Sequence, residues 1–357
     1  MKVSDIDKNF EVKTVEKTQD CDYYDAKQPP FNFSGGFYEE ENKKFVRVPT
    51  ALAAKISRGV SILGDITAGM RVRFSTDSDF IELKVTYEKY FRMNTAPLTA
   101  SAGFSLMEDL PEGGQAFTQI FFPVEGDDKG FIQRKALKGG KVRNYTLYFP
   151  LYNDLKSVEI GVKAASFVGS GKAYKNIKPV LWYGSSITQG CCVSRPDNTY
   201  EAIISKRNNI DFFNLGFSGN AKGEKLTGEF LTTFDCSLFI CEYDYNSDEE
   251  ELRKNHYELY KLYREKRRET PILFVTRPNT DGEEDKTARR REIIYKTYDK
   301  ALTNGDKKVY YLDGSFLFGE NDRENCTIDG CHPTDLGAYR IAEKIYGKLG
   351  EISKDFL

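Results

Sequence analysis

The chain has 357 residues, with 52 Lys and Arg against 54 Asp and Glu, a formal net charge of −2, and two histidines, His256 and His332. That balance excludes a protein devoted to gripping nucleic acid or an anionic membrane, no run approaches the roughly 18 apolar residues of a membrane helix, and two histidines leave little room for a histidine-rich metal centre. At 39% hydrophobic and 13% aromatic, the chain suits about two ordinary domains and is too apolar for disorder.

Taken in chain order, the opening MKVSDIDKNFEVKTVEK lacks the apolar stretch of a secretory signal, so a cytoplasmic location is expected. The seven cysteines include no CxxC, which fits reduced thiols rather than disulfides or a structural zinc. From residue 36 to 168, short alternating runs at 71–74, 80–85, 119–122, 145–149 and 158–162 are separated by Gly113-Gly114, Asp127-Asp128, Gly139-Gly140 and Asn153-Asp154. Period two, β-branched and aromatic enrichment and frequent turns predict an antiparallel β-sandwich without a long helix. Tyr87, Tyr90 and Phe91 are read there as core packing ahead of sugar stacking.

After the small polar stretch 169–172, strands predicted at 180–183, 210–215, 238–242, 272–276 and 309–312 alternate with helices at 198–206, 247–268, 285–302 and 336–349. Ser247 is the expected N-cap of the second helix, with four acidic residues behind it favouring its positive end. His256, in the charge-rich middle of that helix, is read as solvated. A β-α-β-α series of this kind is an α/β fold with a parallel sheet and helices on both faces. The expected division is therefore 1–170 for a β-sandwich and 171–357 for the α/β domain.

Ligands of parallel sheets sit at the carboxyl ends of the strands, and four polar segments fall there or beside them: 184–190, 214–220, 243–246 and 329–333. A serine needs a base to become a nucleophile. His332 is one of only two candidates, and Asp329 stands three residues before it, with Gly330 to let the loop turn back and a carboxylate able to fix the imidazole tautomer. Donors for a developing oxyanion are available from the backbone N–H of Ser186, the N–H of Gly219 and the amide of Asn246. Cys331 is adjacent in sequence to the base and points the wrong way for a thiol mechanism, and Cys191 and Cys192 are read as packing residues. Neither a P-loop nor a dinucleotide fingerprint occurs.

Gly184-Ser185-Ser186-Ile187-Thr188 resembles the Gly-Asp-Ser-Ile-Thr block of the SGNH (GDSL) hydrolases, and Gly219, Asn246 and Asp329-x-x-His332 match the later blocks in family order. The resemblance implies a flavodoxin-like three-layer fold, with Ser186 as nucleophile, His332 as base, Asp329 as its orienter and an oxyanion hole from Ser186, Gly219 and Asn246, needing no metal or cofactor. Two departures stand out: Ser185 replaces the first-block aspartate, and the glycine usual before Asn246 is missing. The first half resembles the jelly-roll-like sandwich of the GxDLY subgroup, with Gly103-Phe104-Ser105-Leu106-Met107 in the motif's place. The resemblance therefore implies a serine esterase that removes short acyl groups, foremost acetyl, from an oligosaccharide or another small ester. A lipid or thioester acylhydrolase, and a carbohydrate-binding protein with a vestigial hydrolase domain, are the alternatives. Neither nucleic acid nor membrane is expected as a partner.

Overall fold

A computed structural model describes residues 5–8, 20–175, 177–278 and 284–356, so most of the stretch read for a secretory signal lies outside the described residues. Among the described residues, the first half is built on two large antiparallel sheets, with a small two-stranded sheet of Phe37–Glu39 and Lys44–Val46 beside them. One runs in the order Cys21–Asp25, Asp154–Lys163, Phe80–Lys89, Gly130–Ala136. The other runs Val168–Ser170, Arg71–Thr76, Arg143–Tyr148, Phe104–Asp109, Gln115–Phe121, with Asn32–Ser34 also paired to Arg71–Thr76. The alternation read from the sequence is what packs them. Val72, Phe74, Leu106 and Leu147 from one sheet meet Ile81, Leu83 and Val85 from the other in a single buried cluster. Tyr87 belongs to this core, its hydroxyl donating to the Ala102 carbonyl at 2.6 Å, whereas Phe91 is exposed. Two short helices, Thr50–Ile56 and Arg58–Gly64, add to the predicted strands.

The opposite face of the strand Arg71–Thr76 does not meet solvent. Arg71 and Arg73, which alternate with Val72 and Phe74, are buried against the second half of the chain. Arg71 Nη1 donates to the Phe212 carbonyl at 3.1 Å and its guanidinium pairs with Asp211. Arg73 Nη1 donates to Asn209 Oδ1 at 2.8 Å and its guanidinium lies 3.5 Å from the Tyr174 ring centroid. Arg47, only 1% exposed, donates to the carbonyls of Leu63 and Ile66 on one side and of Asn214 and Gly216 on the other. Guanidinium forks suit such multi-acceptor sites.

The second half is a parallel sheet of β1 (Val180–Gly184), β2 (Phe212–Gly216), β3 (Leu238–Glu242), β4 (Ile272–Val275) and β5 (Val309–Leu312), in the order β2-β1-β3-β4-β5. This is the flavodoxin-like order, whose switch point lies between β1 and β3. Both faces are covered, so the strands are mostly apolar, Asn214 and Glu242 excepted, and their residues alternate between two cores. Leu181 and Tyr183 of β1 pack with α3 (Lys225–Leu231), α4 (Glu249–Lys266) and α5 (Glu284–Thr303). Val180 and Trp182 pack with α2 (Tyr200–Asn208) and α6 (Asp335–Ile352). One turn of helix, α1 (Ser186–Gln189), follows β1 directly. Among the described residues, no helix is long and apolar enough to cross a membrane.

Two local expectations are corrected. Asp248, not Ser247, caps α4, its Oδ1 accepting from Glu251 N at 2.8 Å, while Ser247 is buried and its carbonyl accepts from Arg290. His256 is not solvated but 2% exposed. Leu252, His256, Leu259, Tyr260 and Tyr263 are the buried residues of α4. They lie on one helical stripe, which the surrounding charges hide when the segment is read by composition. The ring stacks on Tyr243, meets Phe274 edge-on, and its Nδ1 lies 2.9 Å from Thr297 Oγ1.

Candidate active site

Ser186 is the first residue of α1, at the carboxyl end of β1 and half-buried. Ser185 sets it there. The Ser185 hydroxyl accepts from Ile187 N at 3.1 Å as the helix cap and donates to Glu242 Oε2 at 2.8 Å. Thr188 Oγ1 donates to the same oxygen at 3.0 Å. Where the family block carries an aspartate, this chain supplies a hydroxyl and draws its carboxyl from the end of β3. Burial, reinforced by Asp244, pushes the Glu242 carboxyl up to about 8, so at neutral pH it is mostly protonated. Its other oxygen, Oε1, is buried with no hydrogen-bond partner, which suits a neutral group better than a charged one.

His332 comes from the loop before α6, and its Nε2 lies 2.9 Å from Ser186 Oγ. Its Nδ1 lies 2.7 Å from Asp329 Oδ2. The Asp329 side chain also folds its own loop, with Oδ1 accepting from the N–H groups of Cys331 at 3.0 Å and His332 at 2.8 Å. Gly330 has φ +77, the left-handed turn that lets the carboxylate reach back. Burial would raise the Asp329 carboxyl, but the hydrogen bonds and charge of His332, with the Cys331 N–H, outweigh it and hold the group below its ordinary value. Asp329 is thus a carboxylate when the imidazole needs it. This line of hydroxyl, imidazole and carboxylate is what general-base activation of a serine requires.

Gly219 and Asn246 stand on the neighbouring loops. Gly219 is solvent-exposed with φ +67, inside the turn that Asn220 N closes onto the Phe217 carbonyl at 2.8 Å. A Cβ at this position would meet nothing within 4 Å, so the backbone conformation, not space, calls for glycine. Asn246 Nδ2 donates to the Phe217 carbonyl at 3.0 Å. A side-chain amide has two N–H donors, and this one bond ties Asn246 to the Gly219 turn with a donor to spare.

Residues to which the sequence reading gave no role hold this arrangement. Gln189 Oε1 accepts from both the N–H and the hydroxyl of Ser218 at 3.0 Å, and its Nε2 donates to the Leu151 carbonyl at 3.2 Å. Tyr152 and Arg47 reach the same loops from the sandwich. Gln189 lies inside the first motif, which is the one signal that pointed to it. Cys191 and Cys192 follow immediately and are buried, whereas Cys331 is partly exposed.

Residues 177–349 match the family model described as GDSL-like lipase/acylhydrolase, and residues 21–168 match the GxDLY amino-terminal domain of SGNH-hydrolase-type esterases. No curated protein matches the chain. A crystal structure designated a GDSL-like lipase, from Bacteroides ovatus ATCC 8483, is 28% identical, covers 93% of this chain and 98% of its own, and superposes with a TM-score of 0.83. A salicylyl-acyltransferase from a tetracycline biosynthetic pathway is 16% identical over 94% and 98% of the two chains, with a TM-score of 0.77. An acetyl xylan esterase from Butyrivibrio proteoclasticus is 13% identical over 94% and 100%, with a TM-score of 0.61. At such identities the last two bear on the fold.

Proposed function

The chain belongs to the SGNH (GDSL-like) lipase/acylhydrolase family and carries the GxDLY amino-terminal domain of its esterases, and on that premise we propose that it is a serine esterase removing short acyl groups, foremost acetyl, from carbohydrate esters. The observation that carries the reading is the line from Ser186 Oγ through His332 to Asp329, at 2.9 and 2.7 Å. In this reading Ser186 Oγ attacks the ester carbonyl and His332 Nε2 takes its proton. Asp329 keeps the Nδ1–H tautomer and stabilises the imidazolium. The backbone N–H groups of Ser186 and Gly219 and the Asn246 amide donate to the oxyanion, each from beyond the end of a different strand. Collapse of the tetrahedral intermediate expels the sugar hydroxyl, protonated by His332, and leaves acyl-Ser186. Water, deprotonated by the same imidazole, then frees the acid.

An uncharged ester suits a site whose host carries almost no net charge, and the shared fold with an acetyl xylan esterase supports a sugar as the alcohol. We assign catalysis to residues 171–357, with sandwich residues Arg47 and Tyr152 buttressing the loops around the site. The test is hydrolysis of an aryl acetate and of acetylated xylan, mannan and simple sugar acetates by the full chain and by Ser186→Ala. Ser186→Ala is expected to lose turnover about 10³-fold or more, and the intact enzyme to slow steeply beyond propionyl. Undiminished turnover in a folded Ser186→Ala protein defeats the mechanism, and a preference for long acyl chains defeats the substrate class.

A further inference from the structure

The turn leaving α1 carries two adjacent cysteines, and the Cys191 N–H donates to the Ser186 carbonyl at 2.9 Å. Side chains of consecutive residues in extended backbone point to opposite sides. Here Cys192 takes φ +72, a left-handed value uncommon outside glycine, and the two Sγ atoms lie 3.1 Å apart on the same side. The third group is His332. A ring nitrogen of His332 and both sulfurs all lie within 4.8 Å of one another.

We propose that Cys191, Cys192 and His332 form a binding site for a soft dication of the Zn²⁺ type, and that an ion held there switches the esterase off. Two thiolates and one imidazole are a donor set that zinc takes readily. Metal–sulfur and metal–nitrogen bonds of about 2.3 and 2.0 Å in a tetrahedron put donor atoms roughly 3.5–3.8 Å apart, so the three groups need only sub-ångström to ångström adjustments. His332 is partly exposed and sits on a loop, which gives the ion its approach and the ring its freedom. On the other side both thiols are buried, 4% and 7% exposed, in an apolar shell with Leu151, Tyr152 and Val193. Two thiolates also balance the charge of the dication. Binding forms two S–metal bonds and one N–metal bond, releases two thiol protons to solvent and moves no electrons.

The inhibition follows from one lone pair with two claimants. Asp329 Oδ2, 2.7 Å from Nδ1, holds the proton on that nitrogen, which leaves Nε2 as the free donor. The same pairing of carboxylate and imidazole raises the basicity of a metal-bound histidine. Nε2 is also the atom that faces Ser186 Oγ at 2.9 Å. Once it ligates the ion, it has no lone pair for the serine proton. The inhibitory half of this inference rests on the esterase reading, and the binding half does not.

The experiment uses the full chain, reduced and freed of metal. Zn²⁺ binding is measured by competition with a chromogenic chelator on wild type and on Ser186→Ala, and aryl-acetate turnover is followed against free Zn²⁺. About one equivalent is expected per chain, with inhibition and binding sharing one midpoint. Cys192→Ser, compared with its own metal-free rate, is expected to raise that midpoint about 10-fold or more, and Asp329→Asn to weaken binding about 10- to 100-fold. Co²⁺ added to wild type provides a readout free of substitutions, an intense thiolate-to-metal charge-transfer absorption. Binding that is unchanged in Cys191→Ser/Cys192→Ser, Co²⁺ bound without that absorption, or turnover indifferent to saturating Zn²⁺ overturns the proposal. Metal-free wild type without esterase activity counts against the esterase reading instead, and the binding measurements on Ser186→Ala then decide this one.

Discussion

Tyr152, buried on the sandwich side of the chain, places its phenol oxygen 2.7 Å from the hydroxyl of Ser218, the residue before Gly219. Ser218 donates its own hydroxyl proton to Gln189 Oε1 at 3.0 Å, so the phenol proton closes the contact. Gln189 in turn donates to the Leu151 carbonyl, one residue from Tyr152. The ring of hydrogen bonds runs from the sandwich through the serine turn to the glycine turn and back. In the proposed mechanism Tyr152 is therefore a positioning residue for the Gly219 N–H. Removing its hydroxyl in Tyr152→Phe forfeits one hydrogen bond of about 0.5–1.5 kcal/mol. If that energy is expressed only when the oxyanion forms, kcat falls about 2- to 13-fold while KM holds. A lower melting temperature with kcat unchanged would mean that the bond is only structural.

Arg47 ties the junction from its sandwich side. Its guanidinium meets four carbonyls, those of Ile66, Asn214, Gly216 and Leu63, at 2.8, 3.1, 2.6 and 2.7 Å. Burial draws its pKa down to about 9, with Tyr152 and Glu201 opposing the shift. Arg47→Ala strands acceptors on both halves of the chain and is expected to lower the unfolding free energy by about 2–5 kcal/mol, read from urea midpoints at constant m. A lysine keeps the charge but not the fork, so Arg47→Lys should recover only part of the loss. Full recovery by lysine would show that charge, not the fork, is what the site requires.

These two residues also mark where the sequence stops being legible. Ser186, Asp329 and His332 are readable because each stands next to a predicted element end, in a local pattern that makes chemical sense by itself. The sandwich and the parallel sheet are readable because period two and the strand-helix alternation are local. Arg47 is separated from Asn214 by 167 residues and Tyr152 from Ser218 by 66. Their roles arise from how the two halves dock, and no local pattern encodes that. Glu242 reads as the last residue of a strand, and only the parallel register that pairs it with Gly184 places it under Ser185.

Glu242 yields a prediction in pH. In the folded chain burial holds its proton up to about pH 8, whereas its ordinary value is 4.5. Between those limits the folded state binds more protons than the unfolded one, so stability falls as the pH rises through the window, by up to about 1.4 kcal/mol per pH unit for one such group. Glu201, also raised to about 8 by burial, adds the same sign. Glu242→Gln preserves an acceptor for Ser185 and Thr188 but does not titrate. Its melting temperature between pH 5 and 8 should decline less steeply than that of the wild type, because the Glu242 share is gone while those of Glu201 and of Asp154 and Asp244, both raised to about 6 by burial, remain. Parallel declines would show that Glu242 is ionised in the fold.

His256 produces the opposite slope. Desolvation lowers its pKa from 6.5 to about 3, so the folded ring is neutral while the unfolded ring protonates near its ordinary value. As the pH falls from 6.5 toward 3 the unfolded state takes up the extra proton, and stability is lost across that window, by at most about 5 kcal/mol. His256→Asn places an amide near the Nδ1 position facing Thr297 Oγ1 and removes the titration. Its absolute stability should drop because the contacts with Tyr243 and Phe274 are lost, but its acid limb should be flatter than that of the wild type in urea midpoints between pH 4 and 7. Its named contacts, Thr297, Tyr243 and Phe274, are not site residues, so kcat/KM on an aryl acetate at neutral pH should stay within about 2-fold of wild type. A collapse of turnover in a folded His256→Asn protein would mean that the second histidine serves the site after all.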